Sequence, residues 1–144
     1  MRTVVERTKE AFVTVDNQMI GKIGKGYLIY VGIHVNDNIE IVQKMAEKIH
    51  NLRVFEDDQG KMNLNLTQVN GSILAISQFT LYGNTKGNNR PSFIEAARPE
   101  QAEALYNLFC ELLSQNHKVQ KGVFGADMKV TATNDGPVTI VIEM

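Results

Sequence analysis

Two short segments carry residue types whose spacing suits chemistry. Ser77-Gln78-Phe79-Thr80-Leu81 follows directly on the apolar run Ile73-Leu74-Ala75-Ile76. Where a chain leaves a sheet, its N–H groups lose their ladder partners and need new ones. Such groups can meet the oxyanion of an ester under attack, often the largest single catalytic contribution. Thr80 adds a hydroxyl that could orient a water or attack directly. The second segment is Asn134-Asp135-Gly136-Pro137-Val138-Thr139. Proline is awkward inside a sheet because it removes a ladder donor. Glycine ahead of it lets backbone approach a ligand with no side chain between, and an X–Pro bond adopts cis at modest cost. Gly136-Pro137 is therefore expected to be cis and to present its carbonyls to a substrate. Each segment alone also reads as a capped turn. Neither holds a His, a Cys or a carboxylate pair, so a site built from both must act through backbone groups, hydroxyls and shape.

The remaining candidates for chemistry have ordinary readings. His34, His50 and His117 are far apart and lack metal-ligand spacing with Cys or carboxylates. His34 stands at a strand end and His50 at a helix end, where an imidazole meets the helix dipole favourably. Cys110, the one cysteine, falls in an apolar helical pattern and reads as a buried thiol. Asp57-Asp58 reads as a solvated turn. Gly21, Gly24 and Gly26 have neither dinucleotide-loop spacing nor a following helix, and no phosphate loop occurs. Neither a metal nor any other cofactor is expected.

The elements that must position the two segments follow from hydrophobic patterning. The 144 residues, 43% hydrophobic and 22% charged, suit one soluble domain over residues 1–144 with a real core. Thr3 to Val15 reads as a strand, Asp16-Asn17 as a turn into a second strand to Ile23, and Tyr27 to Ile33 as a strand buried on both faces. Asp37 and Glu40 have capping-box spacing. Behind them Ile41, Met45, Ile49 and Leu52 form one helical face, ending near Asn51. Glu56 to Asn65 is polar and turn-like. Ser72 to Ser77 is a second buried strand, and Gly83 to Pro91 an exposed loop. A second helix opens at Pro99, with Leu105, Leu108, Phe109, Leu112 and Leu113 inward. Three strands follow: Val119 to Phe124, Met128 to Thr133 and Val138 to Glu143. This order predicts an α/β domain of mixed and antiparallel, barrel-like sheet layers packed with two α-helices, not a doubly wound nucleotide fold. No membrane-spanning run and no secretion signal are apparent, and the lone cysteine fits a reducing cytosol. A net charge of −1 argues against a protein coating long nucleic acid, and no DNA partner is expected.

Taken in order, these segments carry a resemblance. With Arg7, Gly60-Lys61-Met62-Asn63, Arg90-Pro91-Ser92-Phe93 and Phe124-Gly125-Ala126-Asp127-Met128, they resemble the D-aminoacyl-tRNA deacylases along essentially the whole chain. The resemblance implies a homodimeric, cytoplasmic hydrolase that cuts the ester between a D-amino acid and the 3′-terminal adenosine of tRNA. It implies that Ser77, Gln78, Phe79 and Thr80 form the catalytic floor, with the N–H groups of Phe79 and Thr80 as oxyanion donors. Gly136 and Pro137 would come from the partner subunit and exclude the L-form by crowding one side of the substrate Cα. Arg7 would hold that loop, and Phe124 and Met128 would lie against the terminal adenine. Glycine, being achiral, would escape the crowding and is a further candidate substrate. Glu6 stands where members often carry Gln, placing a negative charge beside Arg7. Lys86, Arg90, Lys118, Lys121 and Lys129 are candidate phosphate contacts or plain surface.

Thr80 could be a nucleophile, a water-positioner or secondary. With no activating base in the segment, positioning plus oxyanion donors, assisted by the ribose 2′-OH, is the favoured expectation. Two other functions stay open: an editing module for mischarged L-aminoacyl-tRNA of the type fused to some archaeal threonyl-tRNA synthetases, and a non-catalytic binder of tRNA ends. Isomer preference separates the first from the deacylase; survival of the ester on binding separates the second.

Overall fold

One long strand organises the molecule. In the computed structural model, which describes Met1–Met144, β1 (Arg2–Val15) has a different partner along each part of its length. Its first half pairs antiparallel with β3 (Gly26–Gly32), its second half with β2 (Gln18–Ile23), and its other edge with β8 (Lys129–Glu143). β3 then pairs in parallel with β6 (Ser72–Ser77), and β6 in parallel with β7 (Lys118–Lys121). Each parallel step needs a long crossover. The first carries α1 (Ile39–Asn51) and the hairpin β4 (Arg53–Glu56)–β5 (Met62–Asn65); the second carries α2 (Pro99–Ser114). The mixed sheet curls nearly into a barrel. At Gly21 of β2 an added Cβ would stand 3.3 Å from Gln120 Cβ on β7, so β2 approaches the far edge of the sheet.

Two apolar cores hold this shape. The larger lies between the sheet and the helices, where Val42, Met45 and Ile49 of α1 and Leu105, Tyr106, Phe109 and Leu113 of α2 are buried. The smaller fills the barrel side with Ala11, Val13, Ile23, Leu28, Leu74 and Ile76. β3 and β6 contribute to both, which explains their nearly unbroken apolar sequences. Cys110 is buried in the larger core, and burial pushes its thiol up to about 11. It is protonated at neutral pH, as its apolar setting demands.

Several expectations need correction. α1 is capped by Asn38, whose Oδ1 accepts from Ile41 N at 3.1 Å, and not by Asp37. Asp37 is occupied elsewhere: it accepts from the Met1 amino group and from His34 N, both at 2.7 Å. The stretch Glu56 to Asn65, read as turn-like, holds the turn and the second strand of the β4–β5 hairpin. Its turn is organised by Asp57, which accepts from Gln59 N and Lys61 N, while Val54 and Phe55 reach the core and Phe55 stacks on Tyr27 at 5.3 Å. β7 stops at Lys121, so Phe124 lies in a turn and not on a strand. The last two expected strands are one, because β1 is long enough to pair with both halves of β8.

His50 and His117, 67 positions apart, meet across the helix ends with Nδ1 2.9 Å from Nε2. One ring must accept, so the contact requires a neutral imidazole. Burial, and then the neighbouring His50, hold His117 below the ordinary imidazole range. A depressed imidazole favours the folded state above its unfolded value of about 6.5, and that contribution is lost as pH falls through the lower folded value. The melting temperature of the native chain is therefore expected to drop more between pH 8 and pH 5.5 than that of His117→Asn. Parallel pH profiles for the two would show the pair to be without weight.

Candidate functional site

β6 ends at Ser77, and its last ladder bond comes from Gln78 N to Val31 O at 2.8 Å. The chain then turns at once into a single 3₁₀ turn, Phe79–Tyr82, closed by Gly83 N donating to Thr80 O at 2.9 Å. Phe79 and Thr80 are the first residues of this turn, so their N–H groups have no acceptor within it. Both residues are exposed. The Gln78 carboxamide donates from Nε2 to Thr80 Oγ1 at 2.5 Å. An amide nitrogen donates and cannot take a proton. This contact orients the Thr80 hydroxyl without activating it as a nucleophile.

Ser77, Gln78 and Phe79 open onto a cavity of about 910 Å³ lined mostly by apolar side chains. That is within the range of roughly 300–1,000 Å³ for small-ligand sites. Phe124 and Met128, which the resemblance sets against the terminal adenine, lie on its wall. The turn that carries them begins at Gly122, where an added Cβ would stand 2.5 Å from Met128 Sδ, so Met128 is seated against bare backbone. Phe124 packs on Tyr106 with ring centroids 6.2 Å apart.

The segment joining the exposed loop to α2 supplies the opposite part of the lining, which the sequence reading did not assign to the site. Phe93 meets Phe79 edge-on at 5.1 Å, Ile94 is 84% exposed, and Arg98 and Pro99 complete that wall. Phe93 was visible only as part of a motif. Ile94 and Arg98 gave no periodic signal, because they lie outside regular structure.

Gly136 and Pro137 do not line this cavity in their own chain. Between the pairs Thr8–Asn134 and Glu6–Thr139, Arg7 alone stands opposite Asp135, Gly136, Pro137 and Val138. β8 therefore bulges there. The Gly136–Pro137 peptide is cis, and Gly136 has φ +139°, a region that favours glycine. An added Cβ at Gly136 would come within 2.8 Å of Val138 Cγ2 and 3.1 Å of Arg7 Nη2. Asn134 ties the base of the bulge, accepting from Val138 N at 2.7 Å and donating to Thr139 Oγ1 at 2.8 Å. Arg7, buried, donates from Nε to Asp135 O at 2.8 Å and from Nη1 to Val54 O at 2.7 Å. Val138 points into the core while Gly136 and Pro137 are exposed, so the bulge presents its apex outward. Glu6 does not weaken the Arg7 anchor. Consecutive residues of a strand face opposite sides, and the carboxylate near Arg7 is Glu56, 3.8 Å away. No group of three or more His, Cys, Asp or Glu is placed to hold a metal ion, and no helix is long and apolar enough to cross a membrane.

Comparison with known proteins bears on this geometry. The family model described as D-Tyr-tRNA(Tyr) deacylase matches residues 4–143. The chain belongs to the D-aminoacyl-tRNA deacylase family. Members are hydrolases acting on aminoacyl-tRNA. D-aminoacyl-tRNA deacylases of Lactobacillus gasseri and Fusobacterium nucleatum are similar at 50% and 54% identity, covering 100% and 99% of this chain and 100% and 95% of theirs. Among solved structures, one described as a c-Myc DNA unwinding element binding protein superposes with TM-score 0.94 at 41% identity, covering 100% of this chain and 99% of that one. A second, described as a probable eukaryotic D-amino acid tRNA deacylase, has TM-score 0.84 at 17% identity over 99% of this chain and 98% of its own, and speaks to the deacylase fold alone.

Proposed function

We propose that the cavity beside the Ser77–Thr80 turn is where this deacylase hydrolyses the ester between a D-amino acid and the 3′-terminal adenosine of tRNA. The carrying observation is the start of the 3₁₀ turn at the cavity mouth, with two N–H groups lacking acceptors within the turn and no basic side chain beside Thr80. A carbonyl carbon attacked there develops negative charge on its oxygen, and N–H groups of Phe79 and Thr80 meet it. The Thr80 hydroxyl, held by Gln78, orients the attacking water, and the ribose 2′-OH assists proton transfer. The flat apolar faces of Phe124 and Met128 suit the terminal adenine.

Chirality is read by Gly136 and Pro137 of a second copy. Their exposure, and their place off the cavity of their own chain, support a homodimer in which each bulge completes the partner's site. Held backbone carbonyls crowd one side of the substrate Cα and reject the L-form whatever its side chain, which is specificity by exclusion. Glycine, having no L-side chain, passes the same filter.

The test is ester hydrolysis of matched D-Tyr-tRNA and L-Tyr-tRNA by the purified protein. The D-ester is expected to be lost rapidly with the L-ester spared. Preferential loss of the L-ester would favour editing of mischarged tRNA, and tight binding without loss of either ester would favour a tRNA-end binder.

A further inference from the structure

We propose that Arg98 binds a backbone phosphate at the 3′ end of the tRNA, positioning the terminal ester over the Ser77–Thr80 turn. The inference rests on the deacylase reading above and adds to it the residue that reads the polyanionic part of the substrate.

Arg98 is the cation of the cavity wall. It is exposed, and its side chain forms neither a hydrogen bond nor an ion pair within the chain. Asp127, the carboxylate of the cavity lining, is paired with Lys129 Nζ at 2.8 Å and not with Arg98. The other basic residues named from sequence, Lys86, Arg90, Lys118, Lys121 and Lys129, do not line the cavity. A guanidinium can stack on a base, but in the reading above the apolar faces of Phe124 and Met128 already serve the adenine. The guanidinium is suited to a phosphate, which its planar fork meets with two parallel hydrogen bonds. Arg98 also stands at the N-cap of α2 and makes no side-chain cap bond there. A phosphate on Arg98 would therefore lie near the positive end of a helix, an added attraction.

This arrangement solves a problem posed by the overall charge. With a net charge of −1, the protein has no overall positive charge to attract tRNA. One contact beside the cavity fixes where the single-stranded end enters without gripping the rest.

The experiment compares the unsubstituted chain with Arg98→Ala and Arg98→Lys on two substrates: D-Tyr-tRNA and the D-tyrosyl ester of adenosine, which has no phosphate. On tRNA, Arg98→Ala is expected to raise KM about tenfold with kcat little changed, the signature of lost ground-state binding. The slope of log(kcat/KM) against log(salt) should become shallower by about 0.7, one phosphate contact on a single strand. Arg98→Lys should restore the slope and part of the KM. The adenosine ester should be cleaved equally well by all three. Equal losses on both substrates, or an unchanged salt slope, would overturn the proposal. If the unsubstituted chain cleaved neither ester, the deacylase reading would fail. The salt dependence of binding to uncharged tRNA, native against Arg98→Ala, would still decide whether Arg98 contacts phosphate.

Discussion

Phe79→Pro is expected to lower kcat for D-aminoacyl-tRNA by about 10²–10³-fold beyond the effect of Phe79→Ala, the loss typical of one deleted oxyanion donor. Phe79 is the first residue of the 3₁₀ turn. Proline is tolerated at a first helical position because the N–H it lacks has no partner there anyway. The residue before it would be Gln78, at φ −145° and ψ 87°, outside the α region that a following proline disfavours. The substitution thus deletes one N–H with little demand on the backbone. Phe79→Ala is the control for the ring. It removes the edge contact with Phe93 and a piece of the cavity rim but keeps the N–H, so its cost should appear in KM. Thr80→Ala removes the acceptor of the Gln78 carboxamide and should fall between the two. Single-turnover rates with saturating enzyme, together with thermal melts to verify folding, measure all three. Equal rates for Phe79→Pro and Phe79→Ala would take the Phe79 N–H out of the chemistry. Complete inactivity of Thr80→Ala with binding intact would return the nucleophile role to Thr80.

The strand that leads to Phe79 illustrates what patterning can and cannot reach. Ile73 to Ile76 is an apolar run too short for a helix, and a polar Ser-Gln pair ends it, so both the strand and its exit were legible. The two helices were legible for the same reason, since their inward residues recur at helical spacing. The β4–β5 hairpin was not. Its strands are four residues each, half of them polar, and depend on Asp57 in the turn and on Val54 and Phe55 finding a core built by distant residues. The choice of Asn38 over Asp37 as cap depended on Asp37 meeting the Met1 amino group, a tertiary event with no local signal. The same holds for the site. Ser77–Thr80 and Gly136-Pro137 stood out as segments by residue type and took their proposed roles from the family resemblance, whereas the wall containing Ile94 and Arg98 is defined by which way an irregular segment faces. The meeting of His50 and His117 was hidden by sequence distance for the same reason.

Arg7→Ala is expected to cost about 3 kcal/mol of stability and, separately, to erode discrimination between D- and L-esters. Arg7 is 6% exposed and its guanidinium joins two backbone carbonyls, Asp135 O in the β8 bulge and Val54 O in β4. Bonds from a charged donor contribute about 1.5–3 kcal/mol each, and truncation strands both acceptors. The contact with Glu56 adds little, because that side chain is 59% exposed and such pairs contribute at most about 1 kcal/mol. For a domain of this size the loss corresponds to a fall in melting temperature on the order of 10 °C. Arg7→Lys should recover only part of it, since a single ammonium cannot serve two carbonyls in fixed directions as the guanidinium does. The functional consequence follows from what remains. Asn134 and buried Val138 still hold the base of the bulge, but the backbone at Asp135 and Gly136 loses its tether. A filter that works by crowding excludes only as well as its carbonyls are held. The ratio of D- to L-ester hydrolysis should therefore fall in Arg7→Ala even at temperatures where the variant is fully folded. A lowered melting temperature with an unchanged ratio would make Arg7 a structural residue alone, and would leave Asn134 and Val138 sufficient to hold the bulge for chiral selection.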